Sequence, residues 1–405
     1  MSTLTTKKGV AEEKLGYKIF DADSHCYELP NTFTDYIDPA FRTQALRPVW
    51  DEDHRRSVVV GDRLVTFGDG NLYDRVHVPG SLKEKIRAMK SGEIDDERFY
   101  MTPQPSFLGP EERMKDLDRQ GVESCLMFPG LGITVESFAR RTDVLYANLN
   151  AFNRWLHEHW GFARDGRIFT TPVISFRDRD EAVKQVEWVT ERGAKVVVLR
   201  TGPAYGRSPG DPYFDPIWAR LNEAGVNASY HITDSGYNTY ISPLWGGDTN
   251  PMVYEQSAWQ WMNNFGDRPI MDTLSALVYD NLFGRFPNLQ VAAVEFGAEW
   301  VPYFLRRLDK MRGMGRKGPW IGGPLPERPS VIFKRHCMSV PYPEDDVKDI
   351  VDQVGHECLA LGSDYPHAEG AAEPAEMIEG AEFLAPADLY SYTRGRGMAF
   401  VGKSD

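Results

Sequence analysis

Asp21-Ala22-Asp23-Ser24-His25-Cys26-Tyr27-Glu28 gathers three carboxylates and an imidazole within eight residues, directly behind Tyr17-Lys18-Ile19-Phe20. The preceding run reads as a short buried strand. Alternate residues of a strand share a face, so Asp21, Asp23 and His25 project together while the small Ala22 and Ser24 face the other way. Burying such carboxylates without a cation is costly. The pattern reads as half of a divalent-metal site at a strand end; the alternative is a solvated strand end with an Asp turn. A second cluster late in the chain, Leu361-Gly362-Ser363-Asp364-Tyr365-Pro366-His367, favours the metal.

Further donors close other predicted strands: His231 after Val226-Asn227-Ala228-Ser229-Tyr230, and Glu295 after Leu289-Gln290-Val291-Ala292-Ala293-Val294. Mixed imidazole and carboxylate donors suit zinc, iron or manganese better than magnesium or calcium. Arg200 closes another strand and could hold a substrate carboxylate or phosphate, although a structural salt bridge explains it as well. His77 lies in an irregular stretch from which it could reach a substrate, and His367 follows the last strand as a substrate or supporting contact. Tyr27, Trp245 and the stretch Trp259–Met262 are candidate pocket walls. His157 and His159, two apart on a helix, point to different sides and cannot share an ion. No Gly-x-Ser-x-Gly elbow sits on a suitable turn, which disfavours a serine hydrolase.

The elements that must position these groups alternate. Helices are expected over 111–120, 136–160, 178–192, 212–224, 270–286, 299–311 and 345–354. Strands are expected over 122–130, 168–174, 195–200, 226–231, 289–295 and 358–364, with a weaker one over 332–340. With the opening strand this makes eight strand–helix units, which predicts a parallel α/β (β/α)₈ TIM barrel with its site at the carboxyl ends of the strands. The chain is read as one domain over 1–405. Residues 44–110 break the alternation, with a hairpin over 57–67 on a Gly-Asp turn, and are expected to form an insertion that acts as a lid.

The 405 residues are 41% hydrophobic and carry a formal net charge of −13, which disfavours a nucleic-acid partner. No stretch is long and apolar enough for a membrane span, and the start lacks the apolar middle of a signal peptide. Four scattered cysteines resemble no secreted framework. A soluble, cytoplasmic protein acting on a small molecule is expected.

The opening Asp-Ala-Asp-Ser-His-Cys-Tyr-Glu, His231 and the closing Gly-Ser-Asp-Tyr-Pro-His together resemble the amidohydrolase superfamily, over about Lys18 to Gly370. The resemblance is to the branch that also contains aminocarboxymuconate-semialdehyde decarboxylase and dihydroxybenzoate decarboxylases. It implies metal ligands at Asp23, His25, His231 and Asp364, with Asp364 also shuttling protons. The family commonly carries a histidine on strand six, where this chain has Glu295. Asp23, Glu28 and Glu295 together supply charge for two cations, so one or two ions are expected, with a binuclear arrangement favoured. The activity expected is hydrolysis of an amide, ester, lactone or thioester, a coenzyme A thioester included, with Asp364, Glu295 and His367 handling protons. The insertion and the aromatic loop after His231 would enclose the substrate. Decarboxylation of an aromatic or unsaturated acid is the enzymatic alternative, and a non-catalytic metal-binding barrel the second. The resemblance also implies a homo-oligomer.

Overall fold

The computed structural model describes residues 8–50, 56–66, 73–92 and 97–403. Barrel strands run over Ile19–Cys26, Val122–Pro129, Ile168–Thr170, Val196–Leu199, Asn227–His231, Val291–Val294 and Cys337–Ser339. The first three pair in parallel as one sheet and the last four as another. Their residues are buried almost throughout, as expected of strands covered on both faces. Isolated bridges join the two sheets. Val173 pairs with Val198, and Ser339 with Leu359. The ring closes where the Ala22 amide donates to the Leu361 carbonyl at 2.9 Å and the Asp364 amide to the Asp23 carbonyl at 2.8 Å. This is the TIM barrel anticipated from the alternation, with its eighth position filled by residues 358–364 in irregular extended form.

Asp21 explains that irregularity. Its carboxylate accepts from the Ser363 amide at 2.9 Å and the Ser363 hydroxyl at 2.6 Å, so a side chain takes over part of the seam that a ladder would otherwise close. Pro172 interrupts the third strand, because it has no amide to donate, although its carbonyl accepts from the Val198 amide at 3.0 Å.

Helices begin and end where local chemistry directs. Pro110–Gln120 starts on a proline and stops at Gly121, whose φ of 77° suits glycine. Arg179–Thr190 is capped by the Asp178 carboxylate, which accepts from the Asp180 and Glu181 amides. Three expectations need correction. The helix over 136–160 breaks at Ala139 into Val135–Phe138 and Thr142–His159. The helix over 270–286 breaks at Asn281, which takes a φ of 52°. Residues 332–336 are helical, within Pro329–His336, and only Cys337–Ser339 is strand.

Residues 44–110 hold an antiparallel sheet of Leu46–Trp50, Arg56–Val60 and Arg63–Leu64, the last two joined through Gly61-Asp62. They also hold the pair Val76–His77 with Tyr100–Met101 and the helix Leu82–Lys90. The Phe67 end of the expected hairpin lies outside the described residues. All four cysteines are buried and free.

Candidate metal centre and substrate cavity

Five side chains from four strand ends gather at the carboxyl mouth, in two overlapping groups that share His25: Asp23, His25 and His231, and His25, Glu295 and Asp364 with His367. His25 Nε2 lies 3.4 Å from Asp23 Oδ1, 3.2 Å from Asp364 Oδ1 and 3.9 Å from Glu295 Oε2. His231 Nε2 lies 3.1 Å from His25 Nε2, 3.5 Å from Asp23 Oδ1 and 3.1 Å from Glu295 Oε2. Donors that each bind a single ion at about 2.1 Å stand about 3 Å apart when adjacent. These separations match that spacing. Asp23 Oδ1 is buried and receives no hydrogen bond, a costly position for a carboxylate oxygen unless a cation meets it. The donor set therefore fits a divalent transition metal.

The backbone is bent to present two of these groups. Glu295 and Asp364 take φ values of 60° and 56°, a left-handed conformation that few residues other than glycine adopt. Around Glu295, the Tyr342 hydroxyl donates to its carbonyl at 2.7 Å. The Asp345 carboxylate ties the Ala298 and Tyr342 amides together. Asp364 accepts from His367 Nδ1 at 2.7 Å, and the His367 ring lies 4.0 Å from that of His25.

Electrostatics in the cage follow from crowding. Burial works against a charged His25, but the Asp23 and Asp364 carboxylates beside its Nε2 outweigh it and raise its pKa to about 9. Burial lowers that of His231; Asp23 opposes this and the neighbouring His25 adds to it. Burial, with Asp364 and Asp23 alongside, pushes Glu295 well above the carboxylate range. Asp364 stays below that range, because His367 and His25 outweigh its burial. Without a cation the cage balances its carboxylates with protons; a bound ion displaces them. Burial also carries Asp21 up to about 7, against the hydrogen bond from Ser363.

Not every expected residue joins the cage. Glu28 is turned aside: its Oε1 accepts from the Leu131 and Gly132 amides at 2.9 and 2.8 Å, which fixes the loop after the second strand. That removes one of the three carboxylates on which a second ion was expected. Arg200 runs beneath the following loop, donating from Nε to the Asp234 carbonyl at 3.1 Å. A Cβ at Gly236 would sit 1.8 Å from its Nη2. It faces a separate small cavity with Glu136 and Tyr205, away from the cage. Trp245 is 73% exposed and Met262 65%, so that loop presents its large side chains to the surface.

A cavity of about 220 Å³ opens onto the cage. His25, His231, Glu295 and His367 form its floor. Tyr27, Leu131, Ile133 and Ile232 contribute to its walls, as do Arg75, His77 and Tyr100 from the segment over 44–110. His77 thus lines this cavity. Tyr100 had no signal in the sequence, since a two-residue strand shows no periodicity. Among the described residues, no helix is long and apolar enough to cross a membrane.

The amidohydrolase family model matches residues 77–391. An amidohydrolase from Mycobacterium avium subsp. paratuberculosis K-10 superposes with a TM-score of 0.84 at 30% identity, over 96% of this chain and 100% of that one. A 5-carboxyvanillate decarboxylase from Novosphingobium aromaticivorans, solved with manganese and 4-hydroxy-3-methoxy-5-nitrobenzoic acid, gives a TM-score of 0.60 at 15% identity, over 99% and 100% of the two chains. At that identity the likeness is one of fold. The 2-amino-3-carboxymuconate-6-semialdehyde decarboxylase of Dictyostelium discoideum is 22% identical over 200 residues, 49% of this chain. The chain matches only half (50%) of the length of that curated relative. With a family model spanning most of the barrel and a 30% identical relative along nearly its whole length, the chain belongs to the amidohydrolase family.

Proposed function

We propose that this enzyme removes a carboxyl group, without oxidation, from a small aromatic or unsaturated acid bound beside one divalent cation. The observation that carries the reading is the gathering of Asp23, Glu295 and Asp364 around His25 and His231 at one barrel mouth, with His25, His231, Glu295 and His367 flooring a small, partly apolar cavity. Named decarboxylases among the relatives of similar fold or partial sequence support it, one of them solved with manganese. The cavity volume suits one ring or a short chain, below the usual span for drug-sized ligands.

When bound, the cation would supply a positive anchor that holds and polarises the substrate's oxygens. The chain's own residues do the rest. Leu131, Ile133 and Ile232 keep the ring or chain in an apolar slot. The Asp364–His367 pair holds a proton at the cavity floor, between Oδ1 and Nδ1. As the carbon–carbon bond breaks, carbon dioxide leaves, the electron pair stays on the substrate carbon, and that proton takes the vacated position. Acyl hydrolysis is the second reading; it is favoured by Glu295, a carboxylate that could activate water where the family commonly has a histidine.

Product analysis tests the choice. Manganese-loaded protein is offered hydroxylated benzoic and unsaturated acids beside a panel of amides, esters, lactones and thioesters. The expected result is carbon dioxide in the headspace, with solvent deuterium at the vacated carbon. Cleavage of the acyl panel with no carbon dioxide from any acid would overturn the proposal.

A further inference from the structure

The cage faces two cavities, and the proposed reaction uses one. His25, His231, Glu295 and His367 floor the smaller. Asp23, Glu295 and Asp364 line a second cavity of about 600 Å³. It lies among residues 341–345, residues 368–380 and the helix Leu82–Lys90, which contributes Leu82, Lys83 and Ile86. A hydrogen-bonded partition stands between the two. The Gly80 and Leu82 amides donate to the His367 and Ala368 carbonyls at 3.0 and 2.9 Å. Glu295, Ala368 and Glu369 line both cavities. The cage thus shows its imidazoles to the smaller space and its carboxylates to the larger.

The larger cavity carries one sign of charge along its length. Outside the cage, Glu344, Asp345, Glu369, Glu376 and Glu379 line it, and Lys83 is the one cationic group among its described lining residues. Glu344 pairs with Lys83 at 3.1 Å and Glu379 with Lys14 at 3.3 Å, exposed pairs that hold little energy. Glu376 and Glu379 are exposed while Asp23 and Asp364 are buried, so the carboxylates descend from solvent to the cage. Asp23 ends the series with an Oδ1 that is buried and receives no hydrogen bond. Glu369 is exposed where the two cavities meet, and its charge acts on Glu295. The smaller cavity instead has Arg75 in its lining. A cleft lined by one sign of charge speeds the arrival of the opposite sign by about 10- to 10³-fold.

We propose that the larger cavity is the route by which the divalent cation reaches the cage, with Glu369 as the last carboxylate it passes. The anionic substrate enters on the other side of the partition, past Arg75. This inference rests on the cation of the proposed reading and is independent of which reaction follows.

The test follows manganese uptake by full-length protein freed of metal with a chelator. The magnetic resonance signal of free manganese after rapid mixing gives the association rate, and release into excess chelator gives the dissociation rate. Glu369→Gln should lower the association rate by at least about threefold, and Lys83→Met should raise it by at least about twofold, modest shares of the steering range. A gain in rate cannot come from misfolding, so Lys83→Met guards against a damaged Glu369 variant. Both effects should fade at about 0.5 M salt, where charges are screened within ~4 Å. Arg75→Met should leave the association rate within about 1.5-fold, because its charge lies off the route. An acceleration by Arg75→Met as large as that by Lys83→Met would place entry through the smaller cavity and overturn the inference. So would a Glu369→Gln variant that weakens binding only through faster release, or unchanged association in both Glu369→Gln and Lys83→Met. Protein that takes up no manganese overturns the inference together with the cage, whereas a manganese-loaded protein that releases carbon dioxide from no acid removes the reaction and keeps the route.

Discussion

His25 and His231 stand 206 positions apart in the chain, yet their Nε2 atoms are 3.1 Å apart. Both nitrogens, with the carboxylates around them, are donor atoms that a bound cation would draw together. His231→Ala should lower manganese affinity by more than about 100-fold, beyond the range typical for loss of an outer partner. Metal content after dialysis against limiting manganese checks this; a variant that retains one ion per chain rejects it.

Asp364→Asn keeps the shape and one acceptor oxygen but no longer relays a proton from His367. Turnover should drop by about 10²- to 10⁴-fold, the usual worth of a positioned acid or base. The thermal midpoint of the manganese-loaded variant should stay close to that of the unmodified protein. Activity within a few-fold of the starting value would remove Asp364 from proton transfer.

Glu28 provides the contrast. Removing its carboxylate leaves the Leu131 and Gly132 amides without an acceptor in a buried place. Glu28→Ala should cost about 1–3 kcal/mol of stability by urea unfolding. Glu28→Gln, which keeps an acceptor oxygen, should cost less. Neither should change the number of ions bound; a loss of metal in Glu28→Gln would return this residue to the cage.

His336 sets an acid limit far from the site. Its ring stacks on Phe283 at 4.7 Å, and Nδ1 donates to the Leu289 carbonyl at 2.9 Å. Burial holds its pKa below the ordinary 6.5. The folded chain therefore binds fewer protons here than the unfolded chain just below pH 6.5. This contribution to stability is complete above that value and fades as the pH falls through it. His336→Phe retains the stack and should flatten this part of the slope. Urea midpoints between about pH 7.5 and pH 5 measure it, and an unchanged slope would show that other groups govern it.

The barrel and the cage were legible because their signals are local. His231, Glu295 and Asp364 each sit at the end of an apolar run, and strand ends in a barrel share one mouth. Glu28 and Arg200 carried the same kind of signal, but each is claimed by the backbone of a neighbouring loop, and loop paths leave no periodic trace. The breaks at Ala139 and Asn281 were hidden for a related reason. Both flanking pieces are good helix sequence, and packing on the barrel decides where one stops. Asp21 shared a face with Asp23 on paper. In the fold it serves as a seam with Ser363, a partner 342 positions away.

The left-handed turns at Glu295 and Asp364 set a debt between durability and chemistry. Backbone held this way costs about 1–3 kcal/mol at each position. Glycine would relieve the cost at both places and delete two of the five donors. The sturdiest version of this barrel would thus be an inert one, and its working version keeps a strained pair of carboxylates at the rim.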